Sequence, residues 1–334
     1  MLASAPIQRL TNHPSTNIRP AFSPDGKQIA FQSNRTGLFE VYVVDVSGSN
    51  ERRVSPGDHD DRHPAWSPDG RHIAVDTGAD AQREIWTIDV ASGVRAQVTR
   101  LAGIASFPSW SPDGRQLSFF FYQAGSLDLM AIGVDGANAR AIRLGLASER
   151  QNQCTFACHA ASWSPDGTRL AYASTTAPSE VWTLQTSDAS DVQRVSPDGR
   201  TGSSHFPAYL ADGRLLYVTE HITPGRAWTD VWAVRPEVPD KKPEVLLEDV
   251  QAQGPFSFSS DAGTMLFASP RGGNFEVYVV ELNAEGKEAL KMRSSAADTA
   301  PPPVSAAAPV PSCRARTCTW SGSPRSRWRG ERWR

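Results

Sequence analysis

An all-β fold, a six-bladed β-propeller of four-stranded antiparallel blades, is predicted from two features of the sequence. The tetrapeptide Ser-Pro-Asp-Gly occurs after an aromatic residue and before a short apolar run in four places, and the first three copies are spaced by 44 residues. A fixed period of this length, with strand and turn signals inside each repeat, is typical of propeller blades. The four copies occupy residues 23–26, 67–70, 111–114 and 164–167.

Two weaker copies raise the number of repeats to six. Residues 206–218 repeat the frame of residues 63–75, and residues 256–267 repeat it with one residue inserted. Together the repeats predict one propeller domain over residues 1–294. The predicted blades begin near residues 19, 63, 107, 160, 206 and 255.

Each repeat contains signals for four strands, which are clearest in the first. Residues 19–23 are the predicted inner strand, and Pro-Asp-Gly then forms a turn, because proline presets φ and glycine permits positive φ. The next three strands are predicted at residues 29–32, 40–45 and 52–54, and the third shows period-two alternation in other repeats. The Trp and Tyr side chains of the blades are assigned to packing between blades, with no ligand role.

The two ends of the repeat region are predicted to pair. Residues 7–11 resemble a fourth strand with no first three strands before it, whereas the sixth repeat ends after residues 276–282. An N-terminal strand that completes the last blade would close the propeller and remove open sheet edges. Residues 290–293 are the alternative fourth strand of that blade.

Composition is compatible with one large domain and provides no membrane signal. Hydrophobic residues make up 39% of 334 positions, which is enough for a substantial core. No apolar run reaches the roughly 18 residues needed to cross a membrane. The first six residues lack a basic start and an apolar centre, so we expect no signal peptide in this chain.

Residues 295–334 differ in composition from the repeats and are predicted to form a disordered Pro/Ala/Arg-rich tail. Between 296 and 334, seven arginines against Asp298 and Glu331 give a net charge of +5. A basic arm for nucleic acid or an anionic membrane is one interpretation. Arginine without lysine, mixed with Cys, Trp, Ser and Pro, is also typical of an out-of-frame translation. A disordered native tail and a non-native tail both stay open, and no nucleic-acid partner is expected.

The four cysteines form two close pairs in sequence. Cys154 and Cys158 lie in the longest loop between predicted blades, where a disulfide in an oxidising compartment and two free thiols both stay open. Zinc is disfavoured, because neither this pair nor Cys313 and Cys318 has the two-residue spacing of structural zinc sites.

The residues just before the inner strands are expected to line the mouth of the central channel. In a propeller, the loops between blades lie on the face opposite the Pro-Asp-Gly turns, and the longer, more varied loops make that face the expected binding side. The candidate ligand-binding residues there are Arg19, Arg62, His63, Phe107, His159, His205 and Phe206.

Three interpretations of this cluster stay open. In a binding site, the arginines and histidines would hold an anionic group such as a carboxylate, with Phe107 and Phe206 as apolar anchors. In an enzyme, histidines would bind a divalent metal and an arginine would stabilise charge on a uronate-like substrate. In a purely structural role, these residues would satisfy the ends of the inner strands. The metal ligands in the second case would be His63, His159, His205 and Gln253.

An acidic segment lies next to this cluster in the sequence. Residues 57–63 contain three aspartates and two histidines, which could offer ligands to calcium. Because the spacing matches no regular calcium loop, a solvated loop is favoured.

The repeats resemble the WD-like repeats of the TolB family, which read aromatic-Ser-Pro-Asp-Gly, then Ile-Ala-Phe, Ile-Tyr-Val-x-Asp and Arg-Leu-Thr. The resemblance covers about residues 7–294. It implies a propeller and, by analogy with TolB and its Tol-Pal partners, a periplasmic or other extracytoplasmic binding or scaffold protein. It also implies a distant relation to oligogalacturonate lyase propellers, whose histidine pattern cannot be matched residue by residue. The Gly-x-Ser-x-Gly elbow of serine hydrolases is absent from the sequence.

The predicted function is therefore binding of a protein, peptide or saccharide ligand by a monomer at the loop face and channel mouth. A metal-dependent lyase or hydrolase of an acidic oligosaccharide is the alternative. No cofactor is expected in the first case, and a divalent metal in the second.

Overall fold

In the residues that the computed structural model describes, the regular structure consists entirely of β-strands. The described residues are 7–79, 82–143, 159–174, 178–197, 202–223, 226–238, 242–250, 253–261, 263–270 and 273–281. No helix that could span a membrane occurs in these ranges. Both cysteine pairs, the alternative strand at 290–293 and the tail from 295 onward lie outside the described residues.

The strands, numbered in chain order, follow the repeat units of the sequence. An N-terminal strand, β1 (Gln8–Arg9), precedes unit 1. Units 1 and 2 contain β2 (Asn17–Phe22), β3 (Gln28–Ser33), β4 (Glu40–Asp45), β5 (Arg52–Arg53), β6 (Asp61–Trp66), β7 (His72–Ala79), β8 (Gln82–Asp89) and β9 (Arg95–Gln97). Units 3 and 4 contain β10 (Ile104–Trp110), β11 (Gln116–Gln123), β12 (Ser126–Gly133), β13 (Arg140–Arg143), β14 (Ser162–Trp163), β15 (Arg169–Ala173), β16 (Val181–Gln185) and β17 (Gln193–Arg194). Units 5 and 6 contain β18 (Ser203–Tyr209), β19 (Leu215–Thr223), β20 (Arg226–Val234), β21 (Glu244–Val250), β22 (Gln253–Phe258), β23 (Thr264–Ser269) and β24 (Glu276–Glu281).

The strands of each unit pair antiparallel in chain order. The described residues form four four-stranded sheets and one eight-stranded sheet. The larger sheet combines units 2 and 3, because Ile104 of β10 pairs in parallel with Arg83 of β8. The predicted all-β fold and its four-stranded antiparallel sheets are thus confirmed.

The N-terminal strand pairs with the last strand of unit 6, as the sequence predicts. Gln8 lies opposite Val279 and Arg9 opposite Tyr278. The Leu10 amide extends this ladder by donating to the Val277 carbonyl at 2.9 Å. One sheet therefore contains both the first and the last strand of the described chain.

The Ser-Pro-Asp-Gly segment is a tight turn between the first two strands of a unit. In unit 1, Ser23 Oγ donates to Asp25 Oδ1 at 2.7 Å, and the Gln28 amide donates to Ser23 Oγ at 2.9 Å. Gly26 has φ of 69°, which glycine adopts without the steric cost that a Cβ would add. The same contacts recur in units 2, 3 and 4.

The hydrophobic core lies between consecutive units. The aromatic residue before each turn joins neighbours directly: Trp66 Nε1 donates to the Ala21 carbonyl of the preceding unit at 3.2 Å, and Trp110 and Trp163 repeat this contact one unit further on. This agrees with the predicted packing role of these side chains. One cluster joins unit 6 and β1 to unit 1 and contains Leu10, Ile29, Phe31, Tyr42, Val44, Leu266, Val277 and Val279.

Candidate functional site

Four candidate site residues share an unusual backbone conformation. Arg19, His63, Phe107 and Phe206 have φ of 58°, 53°, 58° and 53°, in the left-handed region that residues other than glycine rarely adopt. Each lies at the same place in its unit, immediately before a proline of the inner strand. The repeat therefore builds one local structure four times and varies only the side chain that it presents.

A β-bulge explains this conformation. The inner strand carries one residue more than its partner between Ile18 and Ala21, and the same register shift occurs at the equivalent points of units 2, 3 and 5. Proline suits a bulge because it has no amide hydrogen to donate to the ladder. Left-handed φ costs on the order of 1 kcal/mol or more at each residue, so the surrounding packing must hold these side chains in place.

Side chains from units 1 to 4 form a continuous row, which we call the mouth row: His159, Arg19, Phe107 and His63. Arg19 Nη1 donates to His159 Nδ1 at 3.3 Å. The Arg19 guanidinium carbon lies 5.3 Å from the centre of the Phe107 ring. That ring stacks on His63 with 3.9 Å between centroids. Residues up to 140 positions apart thus meet at one place.

A second group of rings continues from His159 into units 5 and 6. Phe206 stacks on His159 with centroids 3.6 Å apart, and Phe256 packs edge-on against Phe206 at 5.5 Å. His205 lies 5.3 Å from His159 in an edge-to-face arrangement. Phe107 is almost fully buried, Phe206 is partly buried, and His159 and His205 are buried as well, so the phenyl and imidazole rings pack together.

A residue that the sequence analysis missed, Asp76 of β7, organises one end of the mouth row. Its carboxylate is fully buried and accepts hydrogen bonds from His63 Nδ1 at 2.6 Å, the Phe107 amide at 3.1 Å and Arg83 Nε at 2.6 Å. At the equivalent position in unit 1, Gln32 Oε1 accepts from the His63 amide at 2.8 Å. An acidic residue in the middle of an apolar second strand was the signal that could have identified it.

Burial is the main cause of the lowered pKa values of His63, His159 and His205. It lowers the pKa of His205 to about 4, and together with the positive charge of Arg19 it lowers the pKa of His159 well below 6.5. Burial also lowers the pKa of His63, although Asp76 opposes this. At pH 7 these imidazoles are therefore uncharged.

The two charged groups of the site keep their charge at pH 7. Burial lowers the pKa of Arg19 to about 10, which still leaves the guanidinium protonated, and Asp76 partly opposes that shift. For Asp76, burial by itself would raise the pKa, but His63, Arg83 and the Phe107 amide together lower it to about 2. The mouth row consequently offers one cation and two neutral imidazoles.

The remaining candidates make other contacts. Arg62 Nη2 pairs with Asp60 Oδ2 at 2.7 Å, and its guanidinium lies over the Phe39 ring at 5.2 Å. Gln253 pairs through its backbone with Ala268, and its side chain is outside the described residues. A role for either in ligand or metal binding stays a prediction.

The acidic segment at 57–63 is largely neutralised by arginines. Asp60 Oδ2 also accepts from Arg83 Nη1 at 3.1 Å. Asp61 Oδ1 accepts from Arg95 Nη2 at 2.9 Å and from Thr77 Oγ1 at 2.6 Å. These carboxylates therefore serve internal ion pairs. The predicted solvated loop is wrong for the end of the segment, because Asp61 begins β6 and is fully buried.

The three histidines of the predicted metal site do not all lie together. His159 and His205 are neighbours, whereas His63 lies at the other end of the mouth row, bound to Asp76. Within the described ranges, no three His, Cys, Asp or Glu side chains are grouped closely enough to hold a metal ion. The metal set proposed from the sequence includes Gln253, so it stays a prediction.

The free energy of unfolding is expected to fall as the pH decreases from 6.5 to 5. Because the folded pKa values of His63, His159 and His205 lie below the unfolded value, the unfolded chain binds protons in this window that the folded chain excludes. Each histidine contributes up to about 1.4 kcal/mol per pH unit. Urea unfolding at a series of pH values measures the slope. His205→Gln should reduce this slope, and a flat profile in the unaltered protein would contradict this account.

Fold and site together define a class of protein, a β-propeller whose inner-strand bulges hold most residues of the candidate site. Residues 1–75 and 60–159 match the TolB β-propeller domain. Over these 159 residues the protein is similar to the TolB β-propeller family.

Solved structures share the fold of this chain, and one curated protein matches a short part of its sequence. An uncharacterised protein of Agrobacterium fabrum, Atu1656, is 40% identical over 53 residues, which are 16% of this chain and 18% of that protein's length. A structure assigned to TolB from Agrobacterium tumefaciens aligns with a TM-score of 0.60 at 18% identity, over 82% of this chain and 96% of the other. Oligogalacturonate lyase in complex with manganese also aligns with a TM-score of 0.60, at 14% identity, over 85% and 95%. At these identities, the structural comparisons establish the fold alone.

Proposed function

We propose that this protein is a binding propeller that receives an anionic group of a protein, peptide or saccharide ligand at the mouth row. The observation that carries the proposal is the environment of Arg19. Its guanidinium is charged and half-buried, lies 5.3 Å from the centre of the Phe107 ring, and has no carboxylate in the described part of the chain within ion-pair distance. A confined guanidinium of this kind is suited to a carboxylate or phosphate from outside the protein.

We infer that the propeller has six blades and is closed by β1. Hydrophobic clusters support this inference, because they join units 1 and 2, 2 and 3, 3 and 4, 4 and 5, and 5 and 6, and one further cluster joins unit 6 back to unit 1. The contacts of the mouth row support it too, since side chains from units 1 to 4 meet at the starts of their inner strands. A closed ring brings these starts together around one axis.

Removal of the Arg19 guanidinium tests the proposed anion site. Propionate, titrated into the protein and followed by NMR, is expected to bind with a dissociation constant roughly ten- to a hundredfold lower than in Arg19→Ala, because a hydrogen bond to a charged group contributes about 1.5–3 kcal/mol. Propionamide, which lacks the charge, should bind weakly to both. Arg71→Ala, which removes an exposed arginine at the Ser-Pro-Asp-Gly turn of unit 2, should leave propionate binding unchanged. Equal binding of propionate to the unaltered protein and Arg19→Ala would refute the proposal.

A metal-dependent lyase or hydrolase of an acidic oligosaccharide is the second candidate. It is favoured by the adjacent uncharged rings of His159 and His205, since metal ligands must be unprotonated, and by the fold shared with a manganese-bound lyase. Metal analysis of the purified protein and an assay for unsaturated products from oligogalacturonate separate the candidates. Stoichiometric metal that is lost in His159→Ala and His205→Ala, together with product formation, would establish the enzyme.

The cellular location and the kind of partner are proposed from the resemblance to TolB. We propose an extracytoplasmic monomer that binds its partner as Tol-Pal proteins do, without nucleic acid. Light scattering of the purified protein tests the monomer, and fractionation of the native host tests the location.

A further inference from the structure

Hairpins of three units extend well past the level of the mouth row. In units 2, 3 and 5, the second strand continues for four to six residues beyond the point that lies opposite the bulge. At about 3.3 Å per residue, this is about 13–20 Å along the strand. We call the space that these hairpins border the well. The bulge residue, the residue opposite it and the last residue of the second strand are His63, Val75 and Ala79 in unit 2, Phe107, Phe119 and Gln123 in unit 3, and Phe206, Tyr217 and Thr223 in unit 5.

The floor of the well offers little to hydrogen-bond with besides Arg19. Phe107, His159 and His205 are only 6%, 4% and 8% exposed, whereas Arg19 is half-buried. The peptide groups of a loop laid across these rings would lose hydrogen bonds to water without replacing them, and that loss costs free energy. A ligand that brings only a carboxylate to the floor avoids this cost.

The charges around the well favour a ligand with a single carboxylate. Arg62 Nη2 and Arg83 Nη1 both bind Asp60 Oδ2, at 2.7 and 3.1 Å. Arg19, in contrast, has no carboxylate within ion-pair distance among the described residues. In the loop before β6, the Asp58 side chain is 70% exposed. An oligouronate carries a carboxylate on every sugar, so one could pair with Arg19 while the others would be repelled by acidic side chains.

We propose that the well receives the carboxy-terminal end of an extended peptide or protein chain, and that Arg19 binds its terminal carboxylate. This inference rests on the proposed anion site and names its ligand. Aspartate and glutamate carry their carboxylates within three bonds of the main chain, so a flat protein surface resting on the hairpins would hold them far from Arg19. A chain end needs only one extended strand, and four residues span about 13 Å, the length of the shorter hairpins.

N-acetyl-tetraalanine and its C-terminal amide form a matched pair for the test, since they differ in the terminal charge. In NMR titrations, the unaltered protein is expected to bind the acid roughly ten- to a hundredfold more tightly than the amide, as a hydrogen bond to a charged group implies. N-acetylalanine should bind about tenfold more weakly than the longer acid, because it lacks methyl groups that the well would bury. Arg19→Ala should bind acid and amide equally, and Arg71→Ala should behave as the unaltered protein.

The position of the carboxylate in the peptide is tested by moving it. N-acetyl-Ala-Asp-Ala-Ala amide carries its one carboxylate inside the chain and should bind as weakly as the neutral amide. Arg19→Lys, which keeps the charge but loses the planar fork, should retain a reduced preference for the terminal acid. If Arg19→Ala does not fold, this variant and the three peptides still decide. Equal binding of the internal and the terminal carboxylate would overturn the inference.

The direction of entry provides a readout that a merely structural role for Arg19 would not change. With a nitroxide in place of the acetyl group, bound tetraalanine should broaden the amide signals of Ala79 and Gln123 at the hairpin ends. Gly70 and Gly114, in the Ser-Pro-Asp-Gly turns, should be spared. Broadening at the turns rather than at the hairpins would overturn the inference.

The outcomes separate this inference from the function on which it rests. Equal affinities for N-acetyl-tetraalanine and its amide, with propionate binding still lost in Arg19→Ala, would overturn the chain-end ligand and leave the anion site standing. Tighter binding of trigalacturonate than of N-acetyl-tetraalanine would overturn it in favour of a saccharide. Binding of propionate and of the peptide acid that is insensitive to Arg19→Ala would refute the proposed function itself.

Discussion

Asp76→Ala is expected to lower the free energy of unfolding by about 3–5 kcal/mol, the cost of removing one partner of a buried ion pair. The carboxylate is inaccessible to water, and Arg83, which donates to it at 2.6 Å, is only 5% exposed. Its removal would leave a buried guanidinium with less compensation and would also free the Phe107 amide and His63 Nδ1. Urea unfolding measures the loss directly.

A matched aspartate controls for the loss of any carboxylate. Asp113 lies in the turn of unit 3, exposed to water, and accepts from Ser111 Oγ at 2.6 Å and the Arg115 amide at 3.0 Å. Asp113→Ala should cost only about 1 kcal/mol, the net value of an ordinary hydrogen bond. Similar losses in the two variants would show that Asp76 does not organise the contact between units 2 and 3.

Glu276→Ala is expected to produce a loss of similar size, about 3–5 kcal/mol, and to release the N-terminal strand. The buried Glu276 carboxylate accepts from Arg9 Nη2 at 2.5 Å, Thr11 Oγ1 at 2.5 Å, Asn17 Nδ2 at 2.8 Å and the His13 amide at 2.9 Å. These contacts fasten the residues around β1 to β24. Hydrogen exchange of the Leu10 amide, which bonds to the Val277 carbonyl, should accelerate with the drop in stability.

The repeat supplies the control for this variant. Glu180 occupies the equivalent place in unit 4, but its side chain is partly exposed and pairs with Arg194 at 2.9 Å. Glu180→Ala should cost no more than about 1 kcal/mol, as for exposed ion pairs. If Glu276→Ala were as mild, or if the Leu10 amide stayed protected, the pairing of β1 with β24 would not depend on this carboxylate.

The strands and turns could be predicted from the sequence because their causes are local. Proline, aspartate and glycine favour the turn wherever they occur together, and the third strand of unit 1 has the bounds that alternation indicates, Glu40–Asp45. The pairing of β1 with β24 could also be predicted from the sequence. A fourth-strand pattern without its first three strands needs a partner, and the last unit has an open sheet edge.

The candidate site was only partly predictable. Position in the repeat indicated Arg19, His63, Phe107, His159, His205 and Phe206, and the structure brings these side chains together. The same reasoning placed Arg62 with them, but alternation along β6 directs neighbouring side chains differently, and Arg62 pairs with Asp60. Asp76 lies one strand behind the mouth row and escaped a search limited to the residues before each inner strand.

By itself, the sequence determined the repeating turn, the four-stranded antiparallel units and the position from which functional side chains project. The tertiary structure decided what those side chains face: the bulges that give Arg19, His63, Phe107 and Phe206 positive φ, the burial of Asp76 beneath His63, and the meeting of Arg19 with His159. The physical reason is the distance along the chain over which each effect acts. Turn and strand preferences depend on neighbouring residues, whereas a charge state or tautomer depends on burial and on partners that the chain brings together only when units distant in sequence pack side by side.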